Sequence, residues 1–175
     1  MLRYLLPLPF EDASFDFVHQ RLLMFAVPQL YWQPLVNELA RVTGPNGWVE
    51  LVEVNPFLKN SGPATGRVVD LIVQFSRQRT LDPDIAQHID PFLRAAGLKH
   101  VEMMTREIPV GKWGEQPGVM ALRDIVTIVQ AMKPLVTVQM QMSSKAFDAL
   151  VKEMEQEVEQ YHTTVTFHIA YGRRK

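Results

Sequence analysis

Apolar residues recur along the chain in two patterns, which together predict alternating strands and helices. Short apolar runs bounded by turn formers predict four strands, at 15–19, 48–54, 99–110 and 163–171. Apolar positions spaced three or four residues apart predict five helices, which begin near residues 31, 66, 82, 118 and 143. This alternation of strands and helices is typical of an α/β protein.

Glycine and proline residues predict where these helices end or bend. Gly44 is expected to take the left-handed conformation that closes the first helix. Pro91 predicts a kink or a split in the helix that begins near residue 82, and Pro134 is expected to end the fourth helix. On the first helix, Glu38 and Arg41 fall outside the apolar stripe, so we expect both side chains to be solvated.

The first predicted strand carries the strongest indication of a ligand site. Its apolar run, Phe15 to Val18, favours a strand that is buried on both faces, as in parallel sheets. The run ends abruptly in three polar residues, His19, Gln20 and Arg21. Because ligands of open α/β sheets bind beyond the carboxyl ends of strands, we expect these polar side chains to lie close to a ligand.

Three segments of the chain resemble a known family. The segment LPFEDASFDFVHQRLL, which starts at Leu8, resembles the fourth-strand region of class I S-adenosylmethionine-dependent methyltransferases. The segment WQPLVNELARVTGPNGWVELVE looks like the helix, turn and fifth strand that follow in that family. The tail YHTTVTFHIAYGRRK is similar to the closing strand of the branch that includes fungal secondary-metabolism methyltransferases. The resemblance covers nearly the whole chain.

The resemblance implies a partial Rossmann-like methyltransferase sheet of about four strands with flanking helices. The four predicted strands correspond to the fourth to seventh strands of the family, with the last one inserted antiparallel between two parallel strands. The family's glycine-rich E/D-x-G-x-G-x-G loop has no counterpart here, because the nine glycines are scattered along the chain. We therefore expect residues 1–175 to form a single domain equivalent to the carboxyl-terminal half of the fold, with the N-terminal cofactor-binding half absent.

The family resemblance also implies which residues meet the cofactor, S-adenosylmethionine. These are Leu8, Pro9 and Phe10 in the loop before the first strand, together with His19 and Arg21 after it. His19 is the candidate catalytic residue, because an imidazole can act as a general base near neutral pH. The alternative is that His19 and Arg21 are ordinary polar residues at a strand end. Many methyl transfers need only proximity and alignment, so a base is not obligatory.

Three further residues are candidates for contact with a small-molecule acceptor. Glu53 ends the second predicted strand and Asn55 follows it, while Trp113 lies in a loop after the third strand. For Glu53 the alternative is a carboxylate that is capped or paired within the fold. For Trp113 the alternative is a place in the hydrophobic core, which is the more frequent role of aromatic residues at such spacings.

Composition narrows the classes of function. The formal net charge of −1 argues against a protein that binds nucleic acid or an anionic membrane. The chain has no cysteine, which excludes disulfides and thiolate ligands and is compatible with a cytoplasmic location. No apolar run approaches the length of a membrane span. No histidine has a partner at ligand spacing, so we expect no metal site.

The missing strands of the family predict a partner for this chain. The strand at 15–19 would normally be flanked by the family's first strand, and an apolar edge strand invites pairing with another chain. We expect either a homodimer or a partner chain that pairs with this strand. The predicted function is a methyltransferase-like domain that is not active alone. The alternatives are a non-catalytic dimerisation or interaction module and a truncated relic.

Overall fold

The computed structural model of the protein describes residues 6–175, in which strands and helices alternate as the sequence predicts. The strands are β1 (Phe15–Arg21), β2 (Thr43–Val54), β3 (Lys99–Pro109) and β4 (Thr164–Arg173). The α-helices are α1 (Trp32–Val42), α2 (Pro63–Gln78), α3 (Ile89–Ala95), α4 (Glu115–Gln139) and α5 (Ser144–Gln160). Short 3-10 helices occupy Gln29–Tyr31, Ile85–His88 and Lys112–Gly114.

The strands form one sheet whose order confirms the predicted fold class. The order is β1-β2-β4-β3, with β1 parallel to β2 and β4 antiparallel to β2. The last strand of the chain is therefore inserted between strands that precede it, as the family resemblance implies. The protein has an α/β fold with a four-stranded sheet and flanking helices.

The chain divides into two compact units. The first contains residues 6–55, Arg79–Arg106 and Phe167–Lys175, and the second contains Pro56–Gln78 and Glu107–Thr166. The prediction of a single domain stays a prediction. Across the residues that the structure describes, none of the helices combines the length and the apolar character needed to cross a membrane.

The core of the first unit lies between one face of the sheet and the helices α1 and α3. Helical side chains contribute apolar surface from one side and alternate residues of β2 and β4 contribute it from the other. Burying such a continuous apolar surface is the main stabilising contribution to a fold of this kind. Its completely buried members include Trp32, Val36, Val49, Leu51, Ile89, Leu93 and Ala170.

The second unit is built from α2, α4 and α5. One face of α5 is apolar and buried, as the sequence predicts, through Phe147, Leu150, Val151, Met154 and Val158. A serine side chain caps the amino end of this helix. Ser143 occupies the N-cap position, and its Oγ accepts a hydrogen bond from the Ala146 N–H at 3.1 Å.

The prediction that the first strand is buried on both faces is wrong. β1 forms the edge of the described sheet, and Phe15 and Phe17 keep 38% and 56% of their surface exposed. Of the seven residues in β1 only Gln20 is buried. The apolar run of Phe15 to Val18 does form a strand, as predicted, but nothing in the described chain covers its outer face. β1 also extends to Arg21, two residues beyond the predicted end.

Two predicted helix stops differ from the structure. The first helix ends where Thr43 turns into extended backbone, and the positive φ of 66° belongs to Asn46 rather than to Gly44. Pro134 lies inside α4, which continues to Gln139. A proline removes one helical hydrogen bond, but burial of apolar residues on both sides of it, such as Val136, holds the helix together.

The helix predicted to begin near residue 82 is split, which is one of the two outcomes that Pro91 allowed. A 3-10 helix at Ile85–His88 leads into α3, and Pro91 falls within the first turn of α3. A proline is tolerated there because its missing N–H would have no helical partner. Gly97 then closes the segment with a φ of 86°.

Candidate functional site

The pairing of β1 with β2 brings His19 beside Glu50. The two residues are partners in the parallel register, and their side chains share one face of the sheet. His19 Nδ1 lies 2.8 Å from Glu50 Oε1, and both side chains are partly exposed. A carboxylate can only accept a hydrogen bond, so Nδ1 is the donor and Nε2 is left as the basic nitrogen. This arrangement orients the imidazole in the way that a general base requires.

His19 differs from its predicted position in one respect. It lies within β1, two residues before the strand ends, rather than just beyond the strand. The pairing continues past it, and the Leu22 N–H donates to the carbonyl oxygen of Val52 at 2.9 Å. Arg21 is exposed at the end of the strand, and no hydrogen bond of its side chain to another described residue is present.

Glu53 organises the turn that follows β1. Its carboxylate is fully buried and accepts hydrogen bonds from the Gln20 side-chain amide, from the Leu23 N–H at 2.8 Å and from the Met24 N–H at 3.1 Å. Burial raises the pKa of Glu53, and the three hydrogen bonds oppose that shift without cancelling it. The geometry is that of a capped carboxylate, the alternative that the sequence left open. Contact with an acceptor stays a prediction for Glu53.

Asn55 comes directly after β2 and is half-buried. Parallel strands place their carboxyl ends at the same edge of a sheet, so Asn55 follows β2 at the edge where Arg21 ends β1. The imidazole of His19, the guanidinium of Arg21 and the amide of Asn55 therefore all lie within a few residues of the carboxyl end of β1 or β2. We refer to His19, Arg21, Glu50, Glu53 and Asn55 as the strand-end site. The structure does not bring all five together, because Glu53 is buried on the face of the sheet opposite to the His19–Glu50 pair.

The loop containing Leu8, Pro9 and Phe10 is attached to α1 through Arg41 and Glu38. Arg41 donates hydrogen bonds to the carbonyl oxygens of Leu8 and Phe10 at 3.1 and 2.9 Å, and it pairs with Asp12 at 2.7 Å. In the described chain, the hydrogen bonds of Leu8 and Phe10 run to α1 and within the loop itself. Contact of Leu8, Pro9 and Phe10 with a cofactor therefore stays a prediction.

Glu38 completes this attachment of the loop to α1. One of its oxygens accepts the Leu8 N–H at 2.9 Å, and the carboxylate also accepts two hydrogen bonds from Arg41. The hydrogen bond from Arg41 lowers the pKa of Glu38, and the same contact raises the pKa of Arg41. The expectation that Glu38 and Arg41 are solvated is wrong, because side chains outside the apolar stripe of a helix can still meet a loop that is distant in sequence.

Trp113 belongs to the second unit and has a defined place there. Its indole Nε1–H donates to the carbonyl oxygen of Val110 at 2.9 Å, and its ring stacks on His162 at a centroid distance of 4.9 Å. The Glu159 carboxylate accepts the Trp113 N–H at 3.1 Å. These contacts account for the residue structurally, and a role in substrate binding stays a prediction.

Sequence reasoning missed Glu50 and Gln20 as partners of the predicted site residues. In the sequence, Glu50 is a single polar residue within the apolar run at 48–54, and no neighbouring residue indicates that its side chain contacts His19. The parallel register between β1 and β2 decides that pairing. Among the residues that the structure describes, no cluster of three or more histidine, aspartate or glutamate side chains is arranged to hold a metal ion.

Comparisons with known proteins give fungal methyltransferases. The chain is 24% identical over 172 residues to N-methyltransferase gliN of Aspergillus fumigatus, a match that covers 92% of this chain and 61% of that protein. It is 25% identical over 178 residues to N-methyltransferase tcpN of Claviceps purpurea, with 95% and 63% covered. This chain resembles fungal methyltransferases. The predicted resemblance to the class I family and its fungal branch is thereby confirmed.

The methyltransferase relatives are longer than this chain. The chain spans 61% and 63% of the two relatives named above, which is less than two thirds of their length. No protein-family model matches the chain. Among solved structures, phosphoethanolamine N-methyltransferase 2 of Haemonchus contortus is 14% identical with a TM-score of 0.47, over 95% of this chain and 35% of that one. A likeness of that degree indicates nothing about function.

Proposed function

We propose that this chain forms the acceptor side of a methyltransferase that uses S-adenosylmethionine to methylate a small molecule. The observation that carries the proposal is the hydrogen bond of 2.8 Å between His19 and Glu50 on neighbouring parallel strands. The methyltransferase relatives give this pair its chemical context. Methylation of a neutral amine or hydroxyl group releases a proton, and we propose that His19 Nε2 accepts it.

The residues described in the structure do not by themselves fit the cofactor. A nucleoside cofactor in an open α/β sheet requires a close approach to glycine backbone after a strand. Here β1 ends at Arg21 and β2 at Val54, and the next glycines along the chain are Gly44 and Gly62. Of the glycines, Gly97 and Gly111 have a positive φ, and neither follows a parallel strand of the site. We therefore propose that the chain does not methylate its acceptor alone.

The proposed partner pairs with β1. β1 is the edge of the described sheet, and exposed apolar side chains such as Phe15 lie along it. An edge of this kind offers unpaired N–H and C=O groups to another strand. We propose that a second copy of this chain pairs there as a homodimer, or that a separate chain does so and completes the cofactor site. A cytoplasmic location belongs to the same proposal.

A non-catalytic interaction module is the second candidate function. The exposure of Phe15 and Phe17 on an edge strand favours it, because aromatic side chains are enriched in the buried cores of protein interfaces. In this case the His19–Glu50 pair would be a surface contact without chemistry. A truncated relic would show neither a partner nor a ligand.

Calorimetry and light scattering separate these functions. We expect no heat when S-adenosylhomocysteine is titrated to high micromolar concentration into the chain alone, and saturable binding at that concentration would contradict the incomplete cofactor site. We expect light scattering to show a dimer of the chain, or of the chain with a partner isolated alongside it. Phe15→Lys places a charge on the edge strand and should weaken that assembly.

Leu30→Lys is the matched control for the edge substitution. Leu30 is the most exposed large apolar residue recorded in the described chain, at 86%, and it lies outside the strands. A clean monomer for the unmodified chain, or equal effects of the two lysine substitutions, would contradict pairing through β1. Once a partner is found, His19→Gln should lower kcat for methyl transfer by about 10²-fold or more if His19 is the base.

A further inference from the structure

Three aromatic side chains converge on one open face of the sheet in the first unit. Phe17 of β1 is the register partner of Trp48 on β2, and Tyr171 of β4 is the register partner of Glu50. The rings of Trp48 and Tyr171 meet edge to face, with centroids 5.9 Å apart and planes at 60°. Together with Glu50 these rings line an open cleft of about 300 Å³. We call it the aromatic cleft.

The charged side chain in the lining of the aromatic cleft is acidic, and His19, which stacks on Phe17 at a centroid distance of 6.3 Å, is held by that same carboxylate. Glu50 is part of its lining, and Glu102 accepts a hydrogen bond from the Tyr171 hydroxyl at 2.7 Å. Arg173 is the register partner of Trp48. Its guanidinium donates to the backbone oxygen and to the side-chain oxygen of Asn46, each at 3.1 Å. The lining contains no lysine or arginine.

We propose that the aromatic cleft binds the alkylated ammonium group of a small molecule. A cation is attracted to the face of an aromatic ring, most strongly to tryptophan, and several rings around one cation add to each other. The Glu50 carboxylate supplies the opposite charge at the same place. The methyl groups of an alkylated ammonium ion make apolar contacts with the rings, while the bare ammonium of a lysine would keep most of its hydration.

The neighbouring contacts show why a cation suits the cleft better than a neutral apolar ligand. Glu50 is bonded to His19 through one oxygen, Oε1, so Oε2 remains available to face a cation. A neutral ligand over the same rings would leave that carboxylate oxygen without a new interaction. The hydrogen bond to Glu102 fixes the Tyr171 ring, so little side-chain entropy is lost on binding.

A pair of ligands of equal shape tests the proposal. Choline carries a trimethylammonium group, and 3,3-dimethylbutan-1-ol has the same shape without the charge. We expect choline to bind the full chain saturably in the millimolar range, measured by the NMR shift of the Trp48 indole N–H. The neutral alcohol should bind at least about tenfold more weakly, since the cation–π and carboxylate contacts are lost. Equal affinities, or no binding of choline, would overturn the proposal.

Substitutions locate the binding and separate the two contributions. Trp48→Leu should abolish choline binding, and Glu50→Gln should weaken it by about tenfold while leaving the binding of the alcohol unchanged. Tyr171→Phe keeps the ring and should change choline affinity by less than about threefold. Leu30→Ala is the control outside the cleft and should change nothing. Circular dichroism verifies that each variant is folded, and the Glu50→Gln variant keeps the test open if Trp48→Leu does not fold.

Two further outcomes would also contradict the aromatic cleft as a small-molecule site. Choline that still binds to a folded Trp48→Leu variant must bind elsewhere. If the Trp48 indole N–H is protected from solvent in a dimer at every concentration studied, a second copy covers the cleft. The proposal does not depend on methyl transfer, so the calorimetric result with S-adenosylhomocysteine leaves it unaffected.

Discussion

Glu53 in the first unit and Glu157 in the second are both buried carboxylates that accept three hydrogen bonds, yet their pKa values move in opposite directions. Burial raises the pKa of Glu53. Burial also acts to raise the pKa of Glu157, but hydrogen bonds from Ala64 and Thr65 outweigh it and leave that pKa lowered. Both carboxylates join parts of the chain that are distant in sequence.

Glu53 is completely buried while Glu157 keeps 9% of its surface exposed, so burial opposes the charged form of Glu53 more strongly. The groups that donate the hydrogen bonds also differ. Glu157 accepts the N–H groups of Ala64 and Thr65 at 2.9 and 2.7 Å, and these belong to the first turn of α2. The amino end of a helix carries partial positive charge and favours an anion. Glu53 accepts the N–H groups of a turn after β1, where no helix begins. The helix end therefore adds to the stabilisation of a charged Glu157, which is also the less deeply buried of the two carboxylates.

Glu157→Ala is expected to have the largest effect on stability. It leaves the two N–H groups of α2 and the Thr65 hydroxyl without their acceptor, as in the loss of a helix cap. We expect the free energy of unfolding to fall by about 2–3 kcal/mol, measured by urea titration. Glu155→Ala on the exposed face of α5 is the control and should change it by less than about 0.5 kcal/mol. Equal effects would contradict the capping role.

Glu53→Ala is expected to cost less, about 1–2 kcal/mol, because removing the carboxylate also removes its burial penalty. Glu53→Gln should cost less again. Gln20 has a buried side-chain oxygen without a hydrogen-bond partner, so its amide can turn and accept from the new glutamine. In contrast, Glu157→Gln loses a charge that the helix end stabilises. A larger loss for Glu53→Gln than for Glu157→Gln would contradict the comparison.

The pH dependence of the two glutamine variants should differ in sign. A lowered pKa means that Glu157 contributes stability above its unfolded pKa near ~4.3, and that this contribution is lost as the pH falls through the folded value. A raised pKa means that the contribution of Glu53 is complete below ~4.3 and is lost as the pH rises through its folded value. Urea titrations between about pH 3 and 8, with each variant compared with the unmodified chain, test both signs.

Arg41→Met should act locally rather than on the whole unit. The substitution removes the hydrogen bonds to the carbonyl oxygens of Leu8 and Phe10 and the pair with Asp12. We expect faster hydrogen exchange of the Leu8 N–H, because Glu38, its acceptor, also loses the arginine that positions it. Exchange in α5 is the internal reference. Unchanged exchange at Leu8 would show that the loop is held by other contacts.

The smallest effect is expected for the exposed carboxylate of the strand-end site. Glu50→Gln breaks the pair with His19, but both side chains are partly exposed and water replaces the lost contact. We expect the free energy of unfolding to change by less than about 1 kcal/mol in a urea titration. A loss as large as that of Glu157→Ala would mean that the pair is structural, which would weaken its assignment as a base.

Much of the fold could be predicted from the sequence because the relevant signals are local. The apolar repeats predict four strands and five helices that the structure contains, although α3 begins at Ile89 rather than near residue 82 and β2 begins at Thr43 rather than at residue 48. Periodicity cannot predict the order of strands in a sheet. The family resemblance predicted that β4 is inserted antiparallel beside β2, before β3. The errors arose where packing overrides local preference. Pro134 is tolerated inside α4 because apolar residues on both sides of it are buried. The apolar run of β1 is exposed because β1 forms the edge of the sheet.

The sequence by itself determined the type and order of the elements, since each is encoded within a few neighbouring residues. Only the tertiary structure decided the contacts between distant residues. Glu157 caps a helix that lies 92 residues earlier, and His19 meets Glu50 across 31 residues through the register of two strands. The chain carries no local mark of such pairs, because a register is selected by the packing of a whole sheet face rather than by any one residue.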